Sequence, residues 1–184
     1  MPDTPTAVEL KADLTDDVAL VTGATRGIGA EIAAALADLG ATVYAGARDP
    51  DDVTAADQRP IRLDVTDDEA IRAAVDRIER EAGSLDVLVN NAGVFPRSGP
   101  LHEMDVADFD RATAVNFRGP VVLTKHALPL LLDGTGGRVV SLSSGLGQFT
   151  EGQMGGGYPA YRLSKVGVGG LTAYLDGEYG ERGL

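Results

Sequence analysis

The stretch Leu20-Val21-Thr22-Gly23-Ala24-Thr25-Arg26-Gly27-Ile28-Gly29 limits what this chain can fold into more than any other. Residues 18–21 read as a strand buried on both faces, and Ile28, Ile32, Leu36 and Leu39 then recur at helical spacing. The pattern predicts a strand, a tight turn and an amphipathic helix. Such a turn aims backbone N–H groups and the positive end of a helix dipole at one point, where a phosphate can sit without a side-chain cation. Glycine permits the sharp turn and the close approach of a ligand. Taken alone, the glycines serve equally well as a connector in any α/β protein. A nucleotide-hydrolysing phosphate loop needs Gly-Lys-Ser/Thr where Gly27-Ile28-Gly29 stands here, so NTP hydrolysis is disfavoured.

The rest of the chain repeats the alternation. Apolar runs at 42–47, 61–64, 85–89 and 138–142 read as further strands, and Ile71, Val75 and Ile78 mark a helix whose first turn, near 66–69, is acidic. A loop is expected over 90–104. A long helical region follows from about 106 to 132, with a kink predicted at Gly119-Pro120. A glycine-rich loop over 145–157 leads into a last helix at about 160–179. Continuous apolar strands alternating with helices predict a parallel sheet covered on both faces, a doubly wound α/β fold of three αβα layers in Rossmann order. Ligands of such sheets bind at the carboxyl ends of the strands, and Gly23, Arg48, Asp64, Asn90 and Ser144 each follow an apolar run.

Length and composition narrow the function. With 184 residues and 43% hydrophobic content the chain suits one domain over 17–184, preceded by a polar arm at 1–16. A net charge of −12 argues against nucleic-acid or anionic-membrane partners. Nothing approaches a membrane-length apolar run, and no secretory signal is visible, so a cytoplasmic location is expected. Cysteine is absent and the two histidines, His102 and His126, lack a ligand pattern, so no metal site is expected. Aspartate outnumbers glutamate roughly two to one and Lys11, Lys125 and Lys165 are the lysines. That balance suits a protein adapted to high salt, where screening relieves self-repulsion, or else an ordinary acidic enzyme.

Tyr161 and Lys165 lie four apart, hence on one helical face. A phenol titrates near 10 in water, so proton transfer near neutrality needs a neighbouring cation, which Lys165 supplies. An exposed helix pair is the plainer alternative. Ser143 and Ser144 end the strand at 138–142, where one hydroxyl could stabilise charge on a carbonyl oxygen or simply cap a turn. Asn116 falls near the expected kink, where its side chain could bind open backbone.

These segments together resemble the short-chain dehydrogenase/reductase family. Thr-Gly-x-x-x-Gly-Ile-Gly at 22–29 is similar to the family's cofactor turn, Asp64-Val65 to its adenine-side pair, and Asn90-Asn91-Ala92-Gly93 to its segment steadying the central sheet. Asn116, Ser144, Tyr161 and Lys165 fall in the order of its catalytic tetrad, and Ser144 is the serine that matches. Tyr158 does not, because Arg162 stands where its lysine would be.

The resemblance implies hydride transfer between a nicotinamide cofactor and a carbonyl or alcohol. Tyr161 would be the general acid or base and Ser144 would orient the carbonyl oxygen. Lys165 would tune Tyr161 and hold the nicotinamide ribose, and Asn116 would keep a water linking Lys165 to solvent. Cofactor contacts are implied for Gly23, Thr25, Arg26, Gly27, Ile28, Gly29, Arg48, Asp64, Val65, Asn91, Ala92, Gly93, Tyr161 and Lys165. NAD-preferring members carry a carboxylate at the end of the second strand, where this chain has Ala47 followed by Arg48. Arg26 and Arg48 suit a 2′-phosphate, so NADP(H) is favoured and NAD(H) remains possible, with Asp49 a competing partner for Arg48.

Relatives continue past the Tyr161 helix with another strand and a substrate-covering segment, so the C-terminal strands are expected to be missing here and the fifth strand to show an open apolar edge. The resemblance also implies a homodimer or homotetramer, paired through helices near 121–131 and around Tyr161. A cofactor-binding module without turnover is the rival expectation, and a sugar-nucleotide epimerase would need a differently spaced glycine turn.

Overall fold

The computed structural model describes residues 13–134, 136–149 and 154–184. The polar arm expected at 1–16 therefore falls largely outside the described residues, as does 150–153 of the glycine-rich loop. Five strands, β1 (Val18–Thr22), β2 (Thr42–Ala47), β3 (Arg59–Arg62), β4 (Val87–Asn90) and β5 (Arg138–Ser141), form one parallel sheet in the order β3-β2-β1-β4-β5. Helix α1 (Gly27–Asp38) links β1 to β2 and α2 (Asp68–Ala82) links β3 to β4. Helices α3 (Val106–Thr113) and α4 (Gly119–Asp133) precede β5, and α5 (Pro159–Tyr179) follows it. The chain leaves β1 for one side of the sheet and returns to β4 on the other. The carboxyl ends of β1 and β4 are therefore the switch point where doubly wound sheets hold ligands.

The period-2 alternation of the strands feeds two cores. Leu20, Tyr44, Ile61 and Leu88 meet Ile71 and Ile78 of α2 and Leu123 and Leu131 of α4. Ala19, Val21, Val43 and Val89 face Ala33 of α1. Small residues, Gly29 and Ala33, are the fully buried positions of α1, with Ile32 and Leu36 of the expected stripe packed against the same core and Ile28 the exception. Ile28 is 65% exposed, and Ile32 and Leu36 are half-buried. A large side chain at 29 or 33 would push the helix off the sheet and carry the glycine turn with it.

Local signals behave as their chemistry demands. Asp67 caps α2, its carboxylate accepting from the Glu69 and Ala70 N–H groups, and the helix stops at Gly83 with φ 78°. Ladder geometry shifts two strands by about two residues from their apolar runs. β3 begins at Arg59, although Leu63 N still donates to Ala47 O, and β4 begins at Val87. The irregularity expected at Gly119-Pro120 sits one turn earlier, in a π-turn at Ala114–Arg118. Pro120 has no N–H to give the carbonyl four residues back, that of Asn116, so the ordinary ladder cannot run through this point. Among the described residues β5 pairs with β4 alone and Val140 is 47% exposed, so an apolar edge position is observed. Among the described residues no helix is long and apolar enough to cross a membrane.

Candidate active site

The floor of the site is the turn after β1. Gly23 (φ 65°) and Gly27 (φ 56°) adopt the left-handed conformation that side chains avoid. At Gly29 space decides instead: a Cβ there would lie 2.3 Å from Gly23 O and 2.4 Å from Asn91 Nδ2. Arg26, the residue preceding α1, makes no side-chain hydrogen bond to the helix end, so the first-turn N–H groups are left without a side-chain acceptor. Nothing lies within 4 Å of the Cβ position of Gly27. An open, uncapped helix start of this kind fits a cofactor phosphate.

Thr22 ties this turn to the segment after β4. Its hydroxyl donates to Val89 O and accepts from Asn91 N and Ala92 N, each at 2.9 Å. Asn91 Nδ2 reaches back to Thr22 O (2.8 Å) and Gly23 O (3.2 Å). The two loops at the switch point therefore move as one. On the other side, Asp64 accepts from Thr66 N and from the Thr66 hydroxyl at 2.7 Å, which together with the nearby Arg48 charge holds its carboxyl below the usual range. Val65 packs where a Cβ on Gly119 would touch its carbonyl, joining this corner to the start of α4. The expected Arg48–Asp49 pair does not form. Asp49 instead accepts from Asp51 N and caps the short turn at Pro50–Asp52, and among the described residues neither Arg26 nor Arg48 is in an ion pair.

The four candidates Asn116, Ser144, Tyr161 and Lys165 lie on α5 and on the elements beside it. Asn116, 1% exposed, accepts from Val94 N at 2.8 Å and donates to Val94 O (2.9 Å) and Ser164 Oγ (3.0 Å). The open backbone it binds is that of the segment after β4. Ser164 Oγ donates to Tyr161 O, so Asn116 is coupled to the helix that carries Tyr161. Lys165 is 6% exposed, donates to Leu142 O, and holds Nζ 5.7 Å from the Tyr161 ring centroid. Its Nζ and Asn116 Oδ1 both lie within 4 Å of where a Gly93 Cβ would be. Ser144 caps the short turn Gly145–Gly147 by accepting from Leu146 N, and Gly147 presses on the Lys165 backbone.

Burial alone pushes the Lys165 ammonium below its ordinary 10.5. The unfolded chain binds this proton more tightly than the folded one. The charge therefore opposes folding at neutral pH, and its cost fades as pH climbs from the lowered value toward 10.5. Urea unfolding of wild type and Lys165→Met at pH 7 and pH 10 should show wild type gaining relative to the variant as pH rises.

A protein-family model described as short chain dehydrogenase matches residues 17–184. The chain belongs to the short-chain dehydrogenase/reductase family. Members of this family are NAD(P)-dependent oxidoreductases of alcohols and carbonyls. This short-chain dehydrogenase/reductase chain is 40% identical over 175 residues to cis-4-hydroxycyclohexanecarboxylate dehydrogenase of Sinomonas cyclohexanicum, covering 91% of the chain and 69% of that protein. It is 35% identical to D-threitol dehydrogenase of Mycolicibacterium smegmatis, covering 97% and 72%. The ligand-free aldohexose dehydrogenase of Thermoplasma acidophilum superposes with a TM-score of 0.83 at 33% identity, over 91% of this chain and 63% of that one. The chain thus spans about two thirds of the length of the relatives it matches.

Two contributors, Thr22 in its bonding and Val94, escape a sequence reading, whereas Phe95 is suggested by it as an apolar pocket residue. Thr22 is legible only as part of a motif, and its three-way bonding depends on β4 lying beside β1. Val94 acts through main chain, which leaves no residue signal. Phe95 packs edge-on against Tyr161 with centroids 4.5 Å apart and beside Tyr158 at 5.2 Å.

Proposed function

We propose that this chain carries a carbonyl/alcohol oxidoreductase site in which Tyr161 gives the proton for reduction and takes it for oxidation. The bound nicotinamide would supply or accept the hydride. The observation that carries the reading is the approach of Lys165 Nζ and Asn116 Oδ1 to Gly93, with Lys165 Nζ also 5.7 Å from the Tyr161 ring centroid, in a chain that leaves an open, uncapped helix start at the switch point. The Lys165 charge attracts the negative charge developing on the Tyr161 oxygen. Ser144 accepts from Leu146 N, which leaves its O–H free to donate to the substrate oxygen and orient it. Both amide hydrogens of Asn116 are used and its side-chain oxygen accepts from Val94 N, so the water link toward Lys165 is assigned to its main-chain carbonyl, which Pro120 cannot bond. Gly23, Thr25, Gly27, Ile28 and Gly29 would cradle the cofactor phosphates, with Asp64, Val65, Asn91, Ala92 and Gly93 along its adenosine and ribose.

Cofactor preference is for NADP(H). Arg48 follows the end of β2 and Arg26 precedes α1, both exposed, and the carboxylate that would bind a free 2′-hydroxyl is replaced by Ala47. Arg48→Asp should weaken NADPH binding about tenfold while leaving NADH within about threefold, a difference of one charged contact. Fluorescence titration with both cofactors checks it, and an unchanged preference overturns the role. A homo-oligomer in the cytoplasm, acting on a small carbonyl or alcohol, completes the proposal. Binding of NADPH without turnover of any carbonyl would favour a cofactor-binding module instead.

A further inference from the structure

We propose that Arg162 is a positioning residue that ties together the two limbs of the glycine-rich loop and thereby holds Tyr158 as part of an aromatic substrate wall. The inference rests on Tyr161 being the reacting group. Arg162 follows Tyr161 on α5 and is half-buried. Its Nε donates to Gly157 O at 2.9 Å and its Nη2 to Gly156 O at 3.1 Å, on the limb entering the helix. Its Nη1 donates to Leu146 O at 3.0 Å, on the limb leaving Ser144. Three donors of one planar fork thus bind main-chain carbonyls from both sides of the loop, an arrangement an ammonium cannot reproduce. The fit is close, since a Cβ on Gly155 would lie 3.2 Å from Nη2.

What the fork holds is an unfavourable backbone. Gly157 has φ 72°, and Tyr158 has φ 51°, the one positive φ of a non-glycine among the described residues. Tyr158 N donates across to Ser98 O at 3.3 Å. Arg162 beneath and Ser98 opposite thus over-determine a conformation that tyrosine would otherwise leave. The result is the row Tyr158, Phe95, Tyr161, in which the first two rings are 38% and 43% exposed and the third carries the reacting hydroxyl. Such a row fits a ketone or secondary alcohol whose apolar body lies against Phe95 and Tyr158 while its oxygen meets Tyr161.

The test compares wild type, Arg162→Ala, Arg162→Lys and Tyr158→Ala by amide hydrogen exchange at 145–149 and 154–158, and by NADPH-dependent reduction of cyclohexanone and acetone. In Arg162→Ala the amides of both limbs should exchange faster while the rest of the chain is unchanged. KM for cyclohexanone should rise about tenfold with kcat and NADPH affinity within about twofold. Acetone, too small to cover the wall, should lose less than about threefold. Arg162→Lys should fall between, and adding Tyr158→Ala to Arg162→Ala should add little further loss of cyclohexanone affinity. Unchanged loop exchange overturns the proposal, as does a fall in kcat or NADPH affinity that matches the change in KM. Should Arg162→Ala not fold, faster loop exchange in Arg162→Lys at a wild-type melting temperature still supports it, and unchanged exchange there still overturns it. Wild type that reduces no carbonyl refutes the oxidoreductase reading, and the exchange measurement then decides the role of Arg162 by itself.

Discussion

Tyr161→Phe should lower carbonyl reduction by about three orders of magnitude, the range spanned by loss of a positioned general acid. The change deletes one hydroxyl and leaves the ring, so the edge-on contact with Phe95 and the neighbouring Lys165 cation persist. No described hydrogen bond of the fold uses the Tyr161 hydroxyl, so the melting temperature should stay within about 2 °C. NADPH affinity should fall no more than severalfold. Steady-state turnover beside a cofactor titration separates the outcomes. A variant retaining more than a tenth of wild-type activity would remove Tyr161 from the chemistry and leave the site without an acid.

The second large effect is on stability. Asn116→Ala removes the one side chain that satisfies both main-chain groups of Val94 and also bonds Ser164. These groups are partly or fully shielded from water, and each buried group left unpaired costs about 1 to 3 kcal/mol. A loss of about 3 kcal/mol is expected by urea unfolding, partly offset by the better helix propensity of alanine. Activity should fall further than stability alone requires, because Val94 precedes Phe95 and Ser164 bonds the Tyr161 carbonyl. Asn116→Asp keeps the acceptor toward Val94 N but sets a buried carboxylate against the Val94 carbonyl, so it should be at least as destabilising as Asn116→Ala at neutral pH. Wild-type stability in Asn116→Ala would mean that the segment after β4 is held by other contacts.

The division between what was legible in the chain and what was not follows from the range of the forces involved. Strand, turn and helix after residue 18 were readable because continuous apolar runs and helical spacing are local, and parallel pairing followed because strands buried on both faces need helices above and below. The glycine positions were readable for the same reason. A positive φ at Gly23 and Gly27 is a demand of the turn itself. The candidates Asn116, Ser144, Tyr161 and Lys165 were singled out by their order and residue types, since proton transfer restricts which side chains can serve, and their roles are part of the proposal.

Other features required the chain to be folded. Gly29 is needed because Asn91, 62 positions away, lies against it. Helix α1 is buried at Gly29 and Ala33 with Ile32 and Leu36 packed at the side while Ile28 faces outward, because the Gly23 carbonyl and the Asn91 amide leave no room for a side chain at 29. The π-turn put Asn116 opposite Val94, a partner that main-chain bonding hides from any sequence pattern. Arg162 looked like the residue that spoils a second Tyr-x-x-x-Lys, and only the return of the loop over α5 gave its guanidinium three carbonyls to bind. Propensity, periodicity and turn chemistry act over a few residues and are written in the sequence. Which distant backbone a polar side chain satisfies is decided by packing, after the sheet has brought the strand ends together.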